Sequence, residues 1–245
     1  MAQIVSLISG KGGTGKTSLC AGIAACLARD GFRVLAIDLD VGLRNLDIAL
    51  GMADEAALPF TAVMRGETPI EQATPHPSQS RLSLLTAPVR EQIESIGLRP
   101  FGAMLRQGKF DWILLDAPAG LGRGFQLATA FADEAIVVTL ADPASQRDAA
   151  RATELLLARR EIPVRMAVNR VSPKLFTKMQ STVDDVMDLV GLPLLGLVPE
   201  DASVVLAAAS GRLLIDFTEQ GAAKACHNLA GRLEGRRVPL MKLKK

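Results

Sequence analysis

The 245 residues are expected to form a three-layer α/β fold, a mostly parallel, twisted sheet of about seven strands with helices on both faces. Short apolar, β-branched runs recur along the chain between longer amphipathic segments. Most of these runs are apolar throughout rather than alternating, as strands buried on both faces are. A glycine-rich loop also lies directly between the first apolar run and the first amphipathic segment.

The candidate strands are Ile4–Ser9, Val34–Ile37, Leu82–Thr86, Trp112–Leu115, Ala135–Leu140, Val164–Val168 and Leu194–Val198. After the first, Leu19, Ile23, Cys26 and Leu27 recur at i, i+4, i+7 and i+8 and predict a helix that Gly31 stops. The stretch from Pro59 to Pro77, with His76 between two prolines, is the least regular and reads as surface helix and loop. Open parallel sheets bind ligands at the carboxyl ends of their strands, which singles out the loops after Ser9, Ile37, Leu115 and Val168.

A chain of this length buries a core as one domain, and its 49% hydrophobic content argues against disorder. The apolar stretches Ala135–Ala141 and Val204–Ala209 fall far short of the ~18 residues of a membrane span. No secretory signal precedes the glycine loop, so a cytoplasmic protein is expected. Three cysteines without C-x-x-C spacing argue against a disulfide framework or zinc site. Cys20 and Cys26 stand about 240° apart around a helix and read as small core residues. The charge of +2 is uneven, because Arg236, Arg237, Lys242, Lys244 and Lys245 close the chain. Removing those five leaves 23 basic against 26 acidic side chains, or −3. The division expected is a globular domain over 1–235 and a basic tail over 236–245, with no basic face for nucleic acid on the body.

Gly10-Lys11-Gly12-Gly13-Thr14-Gly15-Lys16-Thr17 fits the phosphate-binding loop G-x-x-x-x-G-K-[ST], with Ser18 next in the helix. The glycines let backbone N–H groups converge on phosphate oxygens. Lys16 places a charge near the β- and γ-phosphates, and the Thr17 hydroxyl can ligate Mg²⁺. The helix that follows points its positive end at the same anion. Asp38 and Asp40 end the second strand, and alternation in an extended segment puts both carboxylates on one side. Asp116 ends the run Trp112–Leu115, where a carboxylate holds Mg²⁺ directly or through water. A lone strand-end Asp is more often a turn or cap residue; three of them beside a phosphate loop favour a metal role.

Lys11, at the head of the loop, completes the pattern K-G-G-x-G-K-T and resembles the deviant Walker motif of the MinD/ParA class of NTPases. Asp40-Val41-Gly42-Leu43-Arg44-Asn45-Leu46-Asp47 looks like the D-x-G-L-R-N-L-D stretch typical of MinD proteins. Asp116–Gly124 with Phe125–Ala128, Ala132–Thr139, Ser145–Asp148, Thr182–Val186 and Pro193–Asp201 continue the likeness, which covers roughly Ile4 to Ile215. The resemblance implies an ATP- and Mg²⁺-dependent hydrolase, slow and stimulated by a partner. In such proteins ATP bridges two subunits and the extra lysine, here Lys11, reaches the partner's phosphates. By the same resemblance Lys16 and Asp40 join Lys11 in catalysis, Asp40 positioning the attacking water. Asp38 supports the Mg²⁺ shell and the first switch, while Asp116 opens the second, with Gly120 as a pivot. Asn169 and Pro199, Glu200 and Asp201 match the adenine contacts, although an Asn after a strand equally makes a turn.

The family's implied partners are MinC- and MinE-like proteins and the inner face of the cell membrane, reached peripherally through the C-terminus. Here the chain departs from the pattern, since Arg236–Lys245 has few apolar residues and carries Pro239. The tail reads either as a membrane contact or as a solubilising end. A ParA-like DNA-coating protein is the alternative, but it requires a basic surface that only Arg232, Arg236 and Arg237 begin to form. Reductases on this core require paired cysteines, and a flagellar-number regulator usually carries a further motif before Gln3.

Overall fold

The computed structural model describes residues 1–179 and 181–241. In chain order the elements are β1 (Gln3–Ile8), α1 (Lys16–Arg29), β2 (Val34–Asp38), α2 (Leu46–Ala49), α3 (Phe60–Met64), β3 (Thr74–Pro75), β4 (Leu82–Leu85), α4 (Leu98–Leu105), β5 (Trp112–Asp116) and α5 (Arg123–Thr129). They continue with β6 (Glu134–Thr139), α6 (Pro143–Leu157), β7 (Val164–Val171), α7 (Pro173–Met179), α8 (Val183–Val190), β8 (Leu194–Pro199), α9 (Ser203–Ala209), α10 (Leu214–Phe217) and α11 (Gly221–Leu233). The strands form one sheet in the order β3-β4-β2-β5-β1-β6-β7-β8. Every pairing is parallel except β3 with β4.

The seven expected strands are present, and an eighth joins them. It is β3, a two-residue antiparallel edge in which Thr74 faces Leu84 and Pro75 faces Ser83. Proline has no N–H for a ladder and is tolerated at such an edge. The surrounding Pro59–Pro77 stretch is also less superficial than its irregular sequence suggests. Phe60, Val63, Ile70 and His76 are buried, and His76 Nε2 lies 2.8 Å from the Leu50 carbonyl oxygen.

Alternation along β1 explains the two-faced core. Val5 and Leu7 point to one side, with α1, α9, α10 and α11. Ile4 and Ile8 point to the other, with α3, α4, α5, α6 and α8. Ser6 shares the second face, where its hydroxyl is buried without a hydrogen-bond partner among the described residues. Cys20 and Cys26 on α1 and Cys226 on α11 are buried free thiols in the same core cluster. Burial pushes each thiol's pKa up, which suits packing rather than reactivity.

Beyond α11 the chain from Arg236 to Met241 lies against the body. The Arg232 guanidinium donates to the Val238, Pro239 and Leu195 carbonyls at 3.1, 2.8 and 2.8 Å. Arg236 pairs with Asp30 at 2.6 Å and Glu234 at 2.7 Å, and Met241 packs against the core. Two of the three arginines that begin a basic surface are therefore held by internal contacts. Lys242, Lys244 and Lys245 lie outside the described residues. Among the described residues no helix is long and apolar enough to cross a membrane.

Candidate functional site

β1 lies in the middle of the sheet, with later strands added on both sides, so a crevice opens at its carboxyl end. Gly10–Gly15 fills that position and leads into α1 at Lys16. Gly15 caps the helix with φ +84°, and Gly13 has φ +79°, both in the left-handed region open to glycine. A Cβ on Gly10 would come 2.2 Å from the Asp148 carbonyl oxygen, and one on Gly15 would come 2.2 Å from Asn169 Nδ2. Asn169 Nδ2 itself donates to the Thr14 carbonyl at 2.8 Å, so the loop is wedged between α6 and β7.

Lys16 is buried and its Nζ sits 3.0 Å from Asp116 Oδ1, with the Thr17 hydroxyl beside the same carboxylate. Burial raises the Asp116 pKa, while Lys16 and Thr17 pull it back. Asp38, paired in register with Asp116, is fully buried. Burial and then the neighbouring Asp116 charge push its carboxyl up to about 6, against two N–H donors. Those donors are Asp40 N at 2.8 Å and Leu46 N at 3.0 Å, so Asp38 ties down both ends of the 40–46 loop. Asp40 is half-buried and faces the cavity, its Oδ1 accepting from Gly42 N and Leu43 N at 3.3 Å.

Thr17, Asp38 and Asp116 offer hard oxygen donors, which suit Mg²⁺. Among the described residues no group of three or more His, Cys, Asp or Glu could hold a metal alone. A Mg²⁺ here therefore fits if phosphate and water complete its shell, the usual arrangement for that ion.

Two adjoining cavities receive the remaining residues. One, of about 330 Å³, is lined by Lys11–Ser18, Asp40, Leu43 and Ile48. The other, of about 340 Å³, is lined by Asn169, Pro199, Glu200 and Asp201. Gly15, Ser18 and Arg170 line both. The fold thus brings the sequence-derived residues to one crevice, where two of them also bind neighbouring backbone. Asn169 directs its amide nitrogen to the loop backbone. Asp201 accepts from Ser203 N and Ala222 N, both at 2.8 Å, and so ties the loop after β8 to α9 and α11.

Two residues were not foreseen. Arg170 sits at the junction of the cavities with φ +50°. Asp142 caps α6 and receives Lys11 Nζ at 3.5 Å. Burial pushes the Asp142 pKa up, but Ser145 and Lys11 together hold it below the usual range. A helix cap was legible in Asp142-Pro143, but its contact with the loop lysine was not.

Comparison with known proteins agrees with this geometry. The CbiA family, the CobQ/CobB/MinD/ParA nucleotide binding domain, matches residues 5–215. The septum site-determining protein MinD of Synechocystis is 35% identical over 98% of this chain and 92% of its own length. The structure of the MinC:MinD cell division protein complex of Aquifex aeolicus superposes with a TM-score of 0.90 at 32% identity, covering 98% of this chain and 99% of that one. MinD of Pyrococcus horikoshii, complexed with Mg-ADP, gives 0.82 at 28%, covering 96% of each chain. A ParA family ATPase of Chlorobium tepidum, at 19% identity and a TM-score of 0.81, shares the fold alone. A phosphate loop headed by Lys11, carboxylates at the ends of β2 and β5 and nearly full-length similarity lead to one conclusion: this chain belongs to the CobQ/CobB/MinD/ParA family of P-loop NTPases, within its septum site-determining MinD branch.

Proposed function

We propose that this protein positions the division site as a switch that dimerises on ATP, hydrolyses it slowly and is reset by a partner that speeds hydrolysis. The observation that carries the reading is the preformed Gly10–Gly15 cradle with Lys16 buried at its base beside Asp116 and Thr17. Gly10–Ser18 would hold the phosphates, with Lys16 exchanging Asp116 for the β- and γ-oxygens. Thr17 and Asp116 would hold Mg²⁺ with the phosphates, Asp38 supporting them by fixing the 40–46 loop. Mg²⁺ held there would supply neutralisation of the phosphate charge. Asp40, at the cavity wall, would exchange its long bonds to Gly42 and Leu43 for the attacking water.

Lys11 is the group assigned to a second copy. Its pair with Asp142 is long and about two-fifths exposed, so it contributes under ~1 kcal/mol and is easily exchanged for phosphate. The mouth of the crevice supports a covering protomer as well. Leu43 is 72% exposed, Val205 70% and Ile48 45%, an apolar rim around a charged cavity. MinC- and MinE-like proteins are the partners proposed for the ATP-bound dimer. Peripheral attachment to an anionic membrane surface would follow through the end of the chain.

Size-exclusion chromatography with ATP and with ADP, together with phosphate release, tests this reading. A dimer confined to ATP and a turnover raised by a MinE-like protein are expected. A chain that stays monomeric with ATP under conditions where it binds the nucleotide would overturn the switch.

A further inference from the structure

Arg170 stands apart among the cations near the crevice. Lys16 is paired with Asp116, Lys11 with Asp142 and Arg44 with Asp47. Arg170 is exposed, lines both cavities, and forms no ion pair among the described residues. Its place results from an irregularity in the sheet, because the β7–β8 register shifts between Val168 and Val171. The shift lets Asn169 turn inward to Thr14 while the next residue turns out over the crevice. The backbone at Arg170 takes φ +50°, a left-handed conformation unfavourable for a residue with a Cβ. Glycine or asparagine would adopt it at less cost. A strained conformation that sets an unpaired guanidinium at the seam of two cavities points to a ligand rather than to packing.

The geometry points to Arg170 as the residue that binds the α-phosphate of a nucleoside 5′-diphosphate or triphosphate, at the turn between its phosphate chain and its base. This rests on the nucleotide-switch reading above. Lys16 and the glycine cradle account for the β- and γ-phosphates, and the cavity beside Pro199–Asp201 accounts for the base. Between them lie Gly15 and Ser18 as backbone and hydroxyl donors, and Arg170 as the only full charge on the shared wall among the described residues. The other charged groups lining the two cavities are Lys11, Lys16 and Asp40 on the phosphate side, and Glu200 and Asp201 on the base side. Asp201 has both oxygens occupied by Ser203 N and Ala222 N, so it does not compete for the guanidinium. A planar guanidinium meets two phosphate oxygens at once, which a lysine cannot reproduce.

The test is calorimetric titration of the full chain with ADP and with ATP, each with Mg²⁺, for wild type, Arg170→Ala, Arg170→Lys and Arg170→Gly. Arg170→Ala should weaken both nucleotides about tenfold and to the same degree, because both carry the α-phosphate. Arg170→Lys should recover part of that loss. Arg170→Gly should bind as weakly as Arg170→Ala while its nucleotide-free melting temperature equals or exceeds that of wild type, which separates a binding role from a folding one. Unchanged ADP affinity in Arg170→Ala would overturn the assignment. So would a loss confined to ATP-driven dimerisation, since the arginine would then act across the subunit interface. A wild-type chain that binds neither nucleotide would remove the switch reading itself and this inference with it.

Discussion

Lys16 Nζ lies 3.0 Å from Asp116 Oδ1 inside the protein, where the two side chains are 8% and 1% exposed. Removing one member of a buried pair leaves an uncompensated charge and costs about 3–5 kcal/mol. Lys16→Ala should therefore abolish tight nucleotide binding and also lower the stability of the nucleotide-free protein by about 3 kcal/mol. Adding Asp116→Asn should restore most of that stability but none of the binding. Urea unfolding of the two variants checks the first statement, and ATP titration checks the second. Lys16→Ala with wild-type affinity would refute the phosphate-loop assignment.

Lys11 and Asp40 separate assembly from chemistry. Lys11→Ala should leave stability within about 1 kcal/mol of wild type, because its ion pair with Asp142 is solvent-screened. It should bind ATP yet remain monomeric on size exclusion. Asp40→Ala should bind ATP and dimerise but release phosphate at least tenfold more slowly. A monomeric Asp40→Ala with normal turnover would reverse the two roles.

Ser6 offers a prediction about the fold alone. Its buried hydroxyl on β1 has no hydrogen-bond partner among the described residues. Desolvating an unpaired hydroxyl costs about 1–3 kcal/mol. Ser6→Ala should therefore raise the unfolding free energy by about 1 kcal/mol, read as a higher urea midpoint at unchanged slope. A destabilised variant would mean that the hydroxyl has a partner, such as a buried water.

The end of the chain calls for two truncations. Removing Lys242–Lys245 leaves every described contact in place and should abolish pelleting with anionic liposomes, which is expected only with ATP and at low salt. Removing Val238–Lys245 should also lower stability by about 1 kcal/mol or more, since Arg232 loses two carbonyl partners and Met241 its place on the core. Equal pelleting with ATP and ADP would leave the tail as a solubilising end.

What the sequence discloses here depends on how local the cause is. Most of the seven longer strands are continuous apolar runs, and burial on both faces makes such runs visible without any partner. β3 is two residues long and exists only because β4 passes beside it, so no local signal announces it. The carboxylates of Asp38 and Asp116 were legible as strand ends, and that of Asp40 lies two residues beyond one. That Asp38 points its oxygens at the 40–46 backbone depends on how the loop closes, which spacing does not determine. Arg170 was hidden for the same reason, because a register shift between two strands distant in sequence aims it. The tail looked separate by charge alone, whereas Arg232 and Arg236 bind its first half to the body.

The tight seating of Gly10 against Asp148 and of Gly15 against Asn169 has a thermodynamic consequence. Fixing a backbone residue costs roughly 1–2 kcal/mol of conformational entropy. A phosphate loop that ordered itself only on its ligand would lose on the order of 10 kcal/mol across eight residues, more than the ~8 kcal/mol that holds a micromolar complex together. In this chain α6 and β7 remove that freedom during folding, so the nucleotide meets a loop whose disorder has already been lost. The seating of α6 and β7 against the loop thereby sets part of the affinity of the site.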